Sequence, residues 1–116
     1  MNRPIAGDDD LEKFITAVAD SFVKVELIKF FFHNPRFLGN AQDISMAIGR
    51  DPKKVSKGLD ELVAIGIIQK SGPKSGTLWS YRPEETMHKK ITHFIQAYEG
   101  PDLRQWIVNK VIRGGG

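Results

Sequence analysis

The chain has 116 residues, enough for one domain around one core, and its 41% hydrophobic and 27% charged content is that of an ordinary globular protein. It has no cysteine, which excludes disulfides, thiolate metal sites and cysteine redox sensing and leads us to expect a reducing, cytoplasmic location. A net charge of +3 and a pI near 9.3 make it mildly basic. No membrane partner is expected: Lys24, Glu26 and Lys29 interrupt the most apolar segment, and Asp8-Asp9-Asp10 occupies the place of a signal peptide's apolar region.

Met1 to Gly7 reads as a loose tail. Asp9 and Glu12 then have capping-box spacing, with Asp9 as N-cap and Glu12 at N3, and the acidic run complements a helix N-terminus rather than binding metal. Leu11, Phe14, Ile15, Val18, Ala19 and Phe22 recur at spacings of three and four and predict an amphipathic helix. Phe22 to His33 predicts a second helical segment, continuous with the first or kinked from it. Glu26, Lys29 and His33 form a narrow polar strip on it. Val23, Leu27, Phe30 and Phe31 cover one side, and Val25, Ile28 and Phe32 another. A helix this apolar must be covered on most of its circumference, by the terminal helices or by a second subunit.

Asn34-Pro35 ends that helix, and Phe37-Leu38 is expected to pack beneath the loop. Asn40 caps a short helix with Asp43 at N3 and with Ile44, Ala47 and Ile48 facing inward, and Gly49 ends it in a tight turn. The next helix has Asp51 as N-cap and Pro52 at its first position, and runs to Ala64 before Gly66. Val55, Leu59, Leu62 and Val63 make its apolar stripe, while Lys53, Lys54, Ser56 and Lys57 occupy the opposite face. Short helix, glycine turn and longer helix form a helix-turn-helix pattern.

Ile67 to Lys70 and Thr77 to Arg82 read as two strands of a hairpin, with Leu78 or Trp79 on the buried face. Ser71–Thr77 forms the tip, which carries Lys74. Pro83 opens a further helix with Glu84 and Glu85 in its first turn and a stripe of Met87, Ile91, Phe94, Ile95 and Tyr98. His88 and His93 do not share a face and make a poor metal pair. Asp102 can cap a last helix with Leu103, Trp106, Ile107, Val111 and Ile112 at its apolar positions, followed by a glycine tail. Charge is unevenly placed along this order. Residues 1–20 hold two basic and five acidic groups, whereas residues 40–82 hold seven basic and four acidic groups, so positive charge gathers around the helix-turn-helix.

From Asn40 to Arg82 the chain resembles the winged helix-turn-helix of small bacterial and archaeal transcriptional regulators of the MarR, ArsR and PadR kind. The residues that carry this are Gly49, Val55-Ser56-Lys57, Leu59, Leu62, Gly66-Ile67-Ile68 and the wing to Tyr81. Gly58 departs from the larger residue usual in the pattern, which implies a looser helix. Asp60 and Glu61 would repel phosphates if they faced a DNA backbone. The resemblance implies a mainly α fold with a small β-hairpin wing (α+β): one domain over 1–116 with N-terminal helices 8–39, the winged helix-turn-helix 40–82 and C-terminal helices 83–113.

Carried over by position, the resemblance implies that Lys53, Ser56 and Lys57 face the major groove of double-stranded DNA. Arg50 and Lys54 would meet phosphates, and Lys74 would reach the flanking minor groove or backbone. No Arg, Asn or Gln lies within this helix for a bidentate base contact, so base specificity should be modest and binding salt-sensitive. The flanking helices resemble dimerisation helices, which implies a homodimer through Phe14, Val18, Phe22, Val25, Ile28, Phe32, Phe94 and Trp106. The competing reading of the residues is a winged-helix protein-interaction module without direct DNA binding. There is no nucleophile–base pairing, metal-ligand spacing or nucleotide motif, so neither enzyme activity nor a cofactor is expected. A small apolar effector between the helices stays open.

Overall fold

The computed structural model describes residues 9–73 and 76–113. The expected tails at 1–7 and 114–116, and the tip residue Lys74, lie outside the described residues. α1 (Asp9–Ala17) already includes Asp9, which the sequence pattern places at the N-cap. Glu12, expected to close a capping box, instead accepts a hydrogen bond from Lys110 Nζ at 2.8 Å and ties the first helix to the last. Leu11, Phe14 and Ile15 form its buried face.

α2 (Phe22–His33) is neither a continuation of α1 nor a kinked extension of it. The amides of Val18 and Ala19 both donate to Phe14 O, which closes α1. Ser21 then takes extended angles, and its hydroxyl accepts from Lys24 N at 3.2 Å. A serine cap inside an otherwise periodic apolar pattern therefore divides the helix in two. Val18 and Ala19 are still buried, as the spacing required, but from the connecting loop. At the other end Asn34 closes α2, donating from its side chain to Phe30 O at 2.8 Å. Phe30, Phe31 and Phe37 then cluster edge to face, with ring centroids 4.9 to 6.0 Å apart.

β1 (Leu38–Gly39) follows, a strand that apolar spacing did not reveal. Leu38 is 59% exposed instead of packing beneath the loop, and Phe37 alone turns inward. α3 (Ala41–Ile48) is capped by Asn40, whose Oδ1 accepts from Asp43 N at 2.8 Å. Ile44 and Ser45 are its buried residues, while Ala47 points to solvent, contrary to the inward position its spacing suggested. Gly49 ends α3 at φ 68° and Gly66 ends α4 (Pro52–Ile65) at φ 95°, left-handed angles that favour glycine in both places.

β2 (Ile68–Ser71) and β3 (Leu78–Tyr81) form the expected hairpin, and β1 adds to β3 to give a three-stranded antiparallel sheet ordered β1-β3-β2. Leu38 pairs with Ser80, and Gln69 pairs with Ser80 from the other side. Trp79 and Tyr81 face the helices, which resolves the choice between Leu78 and Trp79. α5 (Glu85–Glu99) begins after Glu84, two residues later than Pro83, and buries Ile91, Phe94, Ile95 and Tyr98. α6 (Arg104–Arg113) buries Ile107 and Val111, and Asp102 lies in the turn before it. A continuous apolar cluster runs through all six helices and the sheet. The chain is thus mainly α with a small antiparallel wing, a winged helix-like arrangement with flanking helices. Among the described residues, no helix is long and apolar enough to cross a membrane.

Candidate nucleic-acid interface

α4 is held at both ends and along its back. Asp51 accepts from Lys54 N at 3.3 Å, and Pro52 fills the first position, where no amide partner is needed. The turn before it is fixed by buried Ser45, whose hydroxyl donates to Arg50 O at 2.6 Å. Val55, Leu59 and Leu62 are wholly buried. Gly58, expected to loosen the helix, lets it approach α2. A Cβ there would lie 2.8 Å from Leu27 Cδ1 and 3.4 Å from Val23 Cγ1. The departure from the family pattern is thus a close-packing requirement of this pair of helices.

The second tie is electrostatic. Lys24, 6% exposed, places its ammonium 2.5 Å from Asp20 Oδ1 and 2.7 Å from Glu61 Oε1. Burial by itself would lower the lysine's pKa. The hydrogen bonds and charges of Asp20 and Glu61 together outweigh it and hold the pKa above 10.5. Glu61 is therefore bound to α2, and of the two acidic residues that would repel phosphate only Asp60 stands fully exposed. Lys24 could not be recognised from the sequence, where it looked like a charge interrupting an apolar helix. Its role depends on two carboxylates from different parts of the chain.

The front of α4 presents Lys53, Lys54, Ser56 and Lys57, all exposed, with Arg50 exposed on the preceding turn. Among the described residues, no side-chain hydrogen bond or ion pair engages these four cations, so their charge faces solvent. Lys53 to Lys57 span about 6 Å of helix axis. Arg50, Lys54 and Lys57 also border an open cleft of about 740 Å³ between α4 and the start of α2, with Phe22 and Val23 on its far wall. The α4 residues and Arg50 thus come together on one surface. The sixth expected member, Lys74, lies outside the described residues.

The residues expected at a dimer contact are not brought together. Phe14, Val18, Val25, Ile28 and Phe94 are at most 6% exposed within the single chain, so they have no surface to offer a second copy. Phe14 packs on Phe94 with centroids 5.1 Å apart. The surplus apolar surface of α2 is covered by this chain's own α4, α5, α3 and sheet. Phe22, Phe32 and Trp106 remain half-buried, but Phe22 and Phe32 lie at opposite ends of α2, about 15 Å apart along its axis.

Elsewhere, the histidines take part in local contacts. His33 Nε2 lies 2.6 Å from Glu99 Oε2, and His88 Nδ1 shares a 2.9 Å hydrogen bond with the Tyr81 hydroxyl while stacking on Phe32. The described residues contain no group of three or more His, Asp or Glu side chains able to hold a metal ion.

No family model and no curated protein matches the chain. Among solved structures it is similar to a protein described as a possible transcriptional regulator from Methanosarcina mazei Go1. The TM-score is 0.53 at 19% identity, over 84% of this chain and 87% of that one. At this identity the likeness is one of fold alone.

Proposed function

We propose that the chain is a transcriptional regulator that binds double-stranded DNA with α4 in the major groove. One observation carries this reading: four cations without a partner among the described residues, Lys53, Lys54 and Lys57 on the outward side of α4 and Arg50 on the turn before it, adjoin a helix whose inward side is packed. The helix N-terminus adds its own attraction for phosphate. Lys53, Ser56 and Lys57 face the groove in this reading, Arg50 and Lys54 meet the backbone, and Lys74 contributes from the wing. Lysines give point charges and few bidentate base contacts, so affinity is mainly electrostatic.

Neutralising roughly four phosphates lowers affinity about a hundredfold between 50 and 200 mM salt. A gel shift on a random duplex reads this directly. K53E/K57E should abolish the shift at low salt. A shift that survives those substitutions, or native protein that fails to bind at low salt, rejects the reading.

The dimer belongs to the same proposal, with its contact moved to α6. Trp106 and Val108 stay half-buried there, and Ile112 is 58% exposed. Ile112→Asp should convert a dimer to monomer by light scattering, and a native chain that is monomeric throughout removes this part. The alternative is a protein-interaction module without DNA contact. It draws on exposed Asp60 just beyond the basic face and on the missing arginine in α4.

A further inference from the structure

We propose that the outer face of the three-stranded sheet docks an acidic, extended peptide of a protein partner, held by Arg36 and Arg82. The inward positions of β3 are Trp79 and Tyr81, so Leu78 and Ser80 point outward. The register sets Leu38, Ser80 and Gln69 in one row across that face. A groove of about 530 Å³ runs beside this row, bordered by both arginines and by Leu38, Gln69, Ser71 and Ser80. None of the α4 cations borders it, so this surface is distinct from the basic face of α4.

Charge selects the partner. Among the described residues, no carboxylate lines the groove, and neither guanidinium has a hydrogen bond or ion pair. Arg36, in the turn before β1, and Arg82, directly after β3, border the same groove. Like charges gathered on one groove are unfavourable alone, and an anion shared between them removes that cost. The remaining chemistry suits a peptide better than a nucleic acid. Phe37 and Tyr81 also border the groove, but Phe37 packs against Phe30 and Phe31 and Tyr81 is 8% exposed, so neither ring is open for a base to stack on, while Leu38, 59% exposed, gives an apolar anchor. Ser71, Ser80 and Gln69 offer hydrogen bonds to a main chain. β1 is an edge strand of the sheet, the position at which an extended segment adds in strand-addition complexes.

The test uses the full chain and a fluorescent synthetic peptide of alternating Glu and Leu, read by anisotropy. A Lys–Leu peptide and a random oligonucleotide, single-stranded and duplex, serve as comparisons. The acidic peptide should bind and the basic one should not. R36Q/R82Q should weaken peptide binding by at least about tenfold, and L38D should weaken it in a background with both arginines intact. All of these positions are exposed or half-buried, and unchanged circular dichroism confirms the fold. Duplex binding through α4 should survive R36Q/R82Q, so failure of the DNA reading and failure of this one are separable. Peptide binding indifferent to both variants overturns the proposal. So does an oligonucleotide that loses more affinity than the peptide on R36Q/R82Q, which would make the groove a nucleic-acid surface.

Discussion

α2 and α4 lie against each other and use their surfaces in opposite ways. α2 is covered on nearly every side, even at Lys24, and its side chains serve the fold. α4 buries Val55, Gly58, Leu59 and Leu62, with Gly58 against α2, and leaves Lys53, Lys54, Ser56 and Lys57 in water. A helix with no spare face can only position its neighbour, whereas a helix with a spare face can meet something else. Substitutions in the seam between the two should therefore affect stability, and substitutions on the front should affect binding.

The largest loss is expected from the last turn of α2. Phe31→Ala removes a wholly buried ring from the Phe30–Phe37 cluster and should cost about 4 kcal/mol, read from denaturant unfolding. Gly58→Leu, which forces a side chain into the space held by Leu27, should cost about 3 kcal/mol and lower the thermal midpoint. A milder test is alkaline pH. Burial pushes the Tyr81 hydroxyl up to about 12 from 10.0, so the folded chain keeps a proton that the unfolded chain releases. Stability is full below pH 10 and falls as pH rises through the folded value, by about 2 kcal/mol for this residue. Lys24 acts in the same direction: its contribution is full below pH 10.5 and is lost as pH rises through the raised folded value. Unfolding midpoints from pH 8 to 12 check both, and Tyr81→Phe should flatten the curve. The smallest change in stability, within about 0.5 kcal/mol, is expected for K53E/K57E. The same variant should give the largest change in duplex binding. Opposite rankings by the two measurements would confirm the contrast between the helices.

Much of this arrangement was legible from local signals. Asn40, Gly49, Asp51, Pro52 and Gly66 mark helix ends through chemistry that acts within a few residues, and each end is found where that chemistry puts it, to within a residue. The basic front of α4 was legible because helical periodicity separates it from Val55, Leu59 and Leu62. Long-range coverage was not. Nothing in Phe22 to Phe32 says which parts of the chain will cover it, so residues buried within one chain looked like a contact between copies. β1 was hidden for a similar reason, since two residues have no periodicity and become a strand only through pairing with Ser80 and Trp79. The value of Gly58 depended on Leu27 and Val23, 31 and 35 residues earlier in the chain.

The two tryptophans fall in different parts of the molecule. Trp79 is buried on the sheet, its indole Nε1 without a hydrogen-bond partner among the described residues, and Trp106 lies half-covered on α6 beneath the Lys110 ammonium, 5.5 Å from its ring. The protein thus carries two native fluorophores with distinct surroundings. Trp79 should emit at short wavelength and shift red only when the wing opens, while Trp106 should respond to whatever settles on the last helix. Single replacement of either by Phe would let light report separately on the wing and on α6.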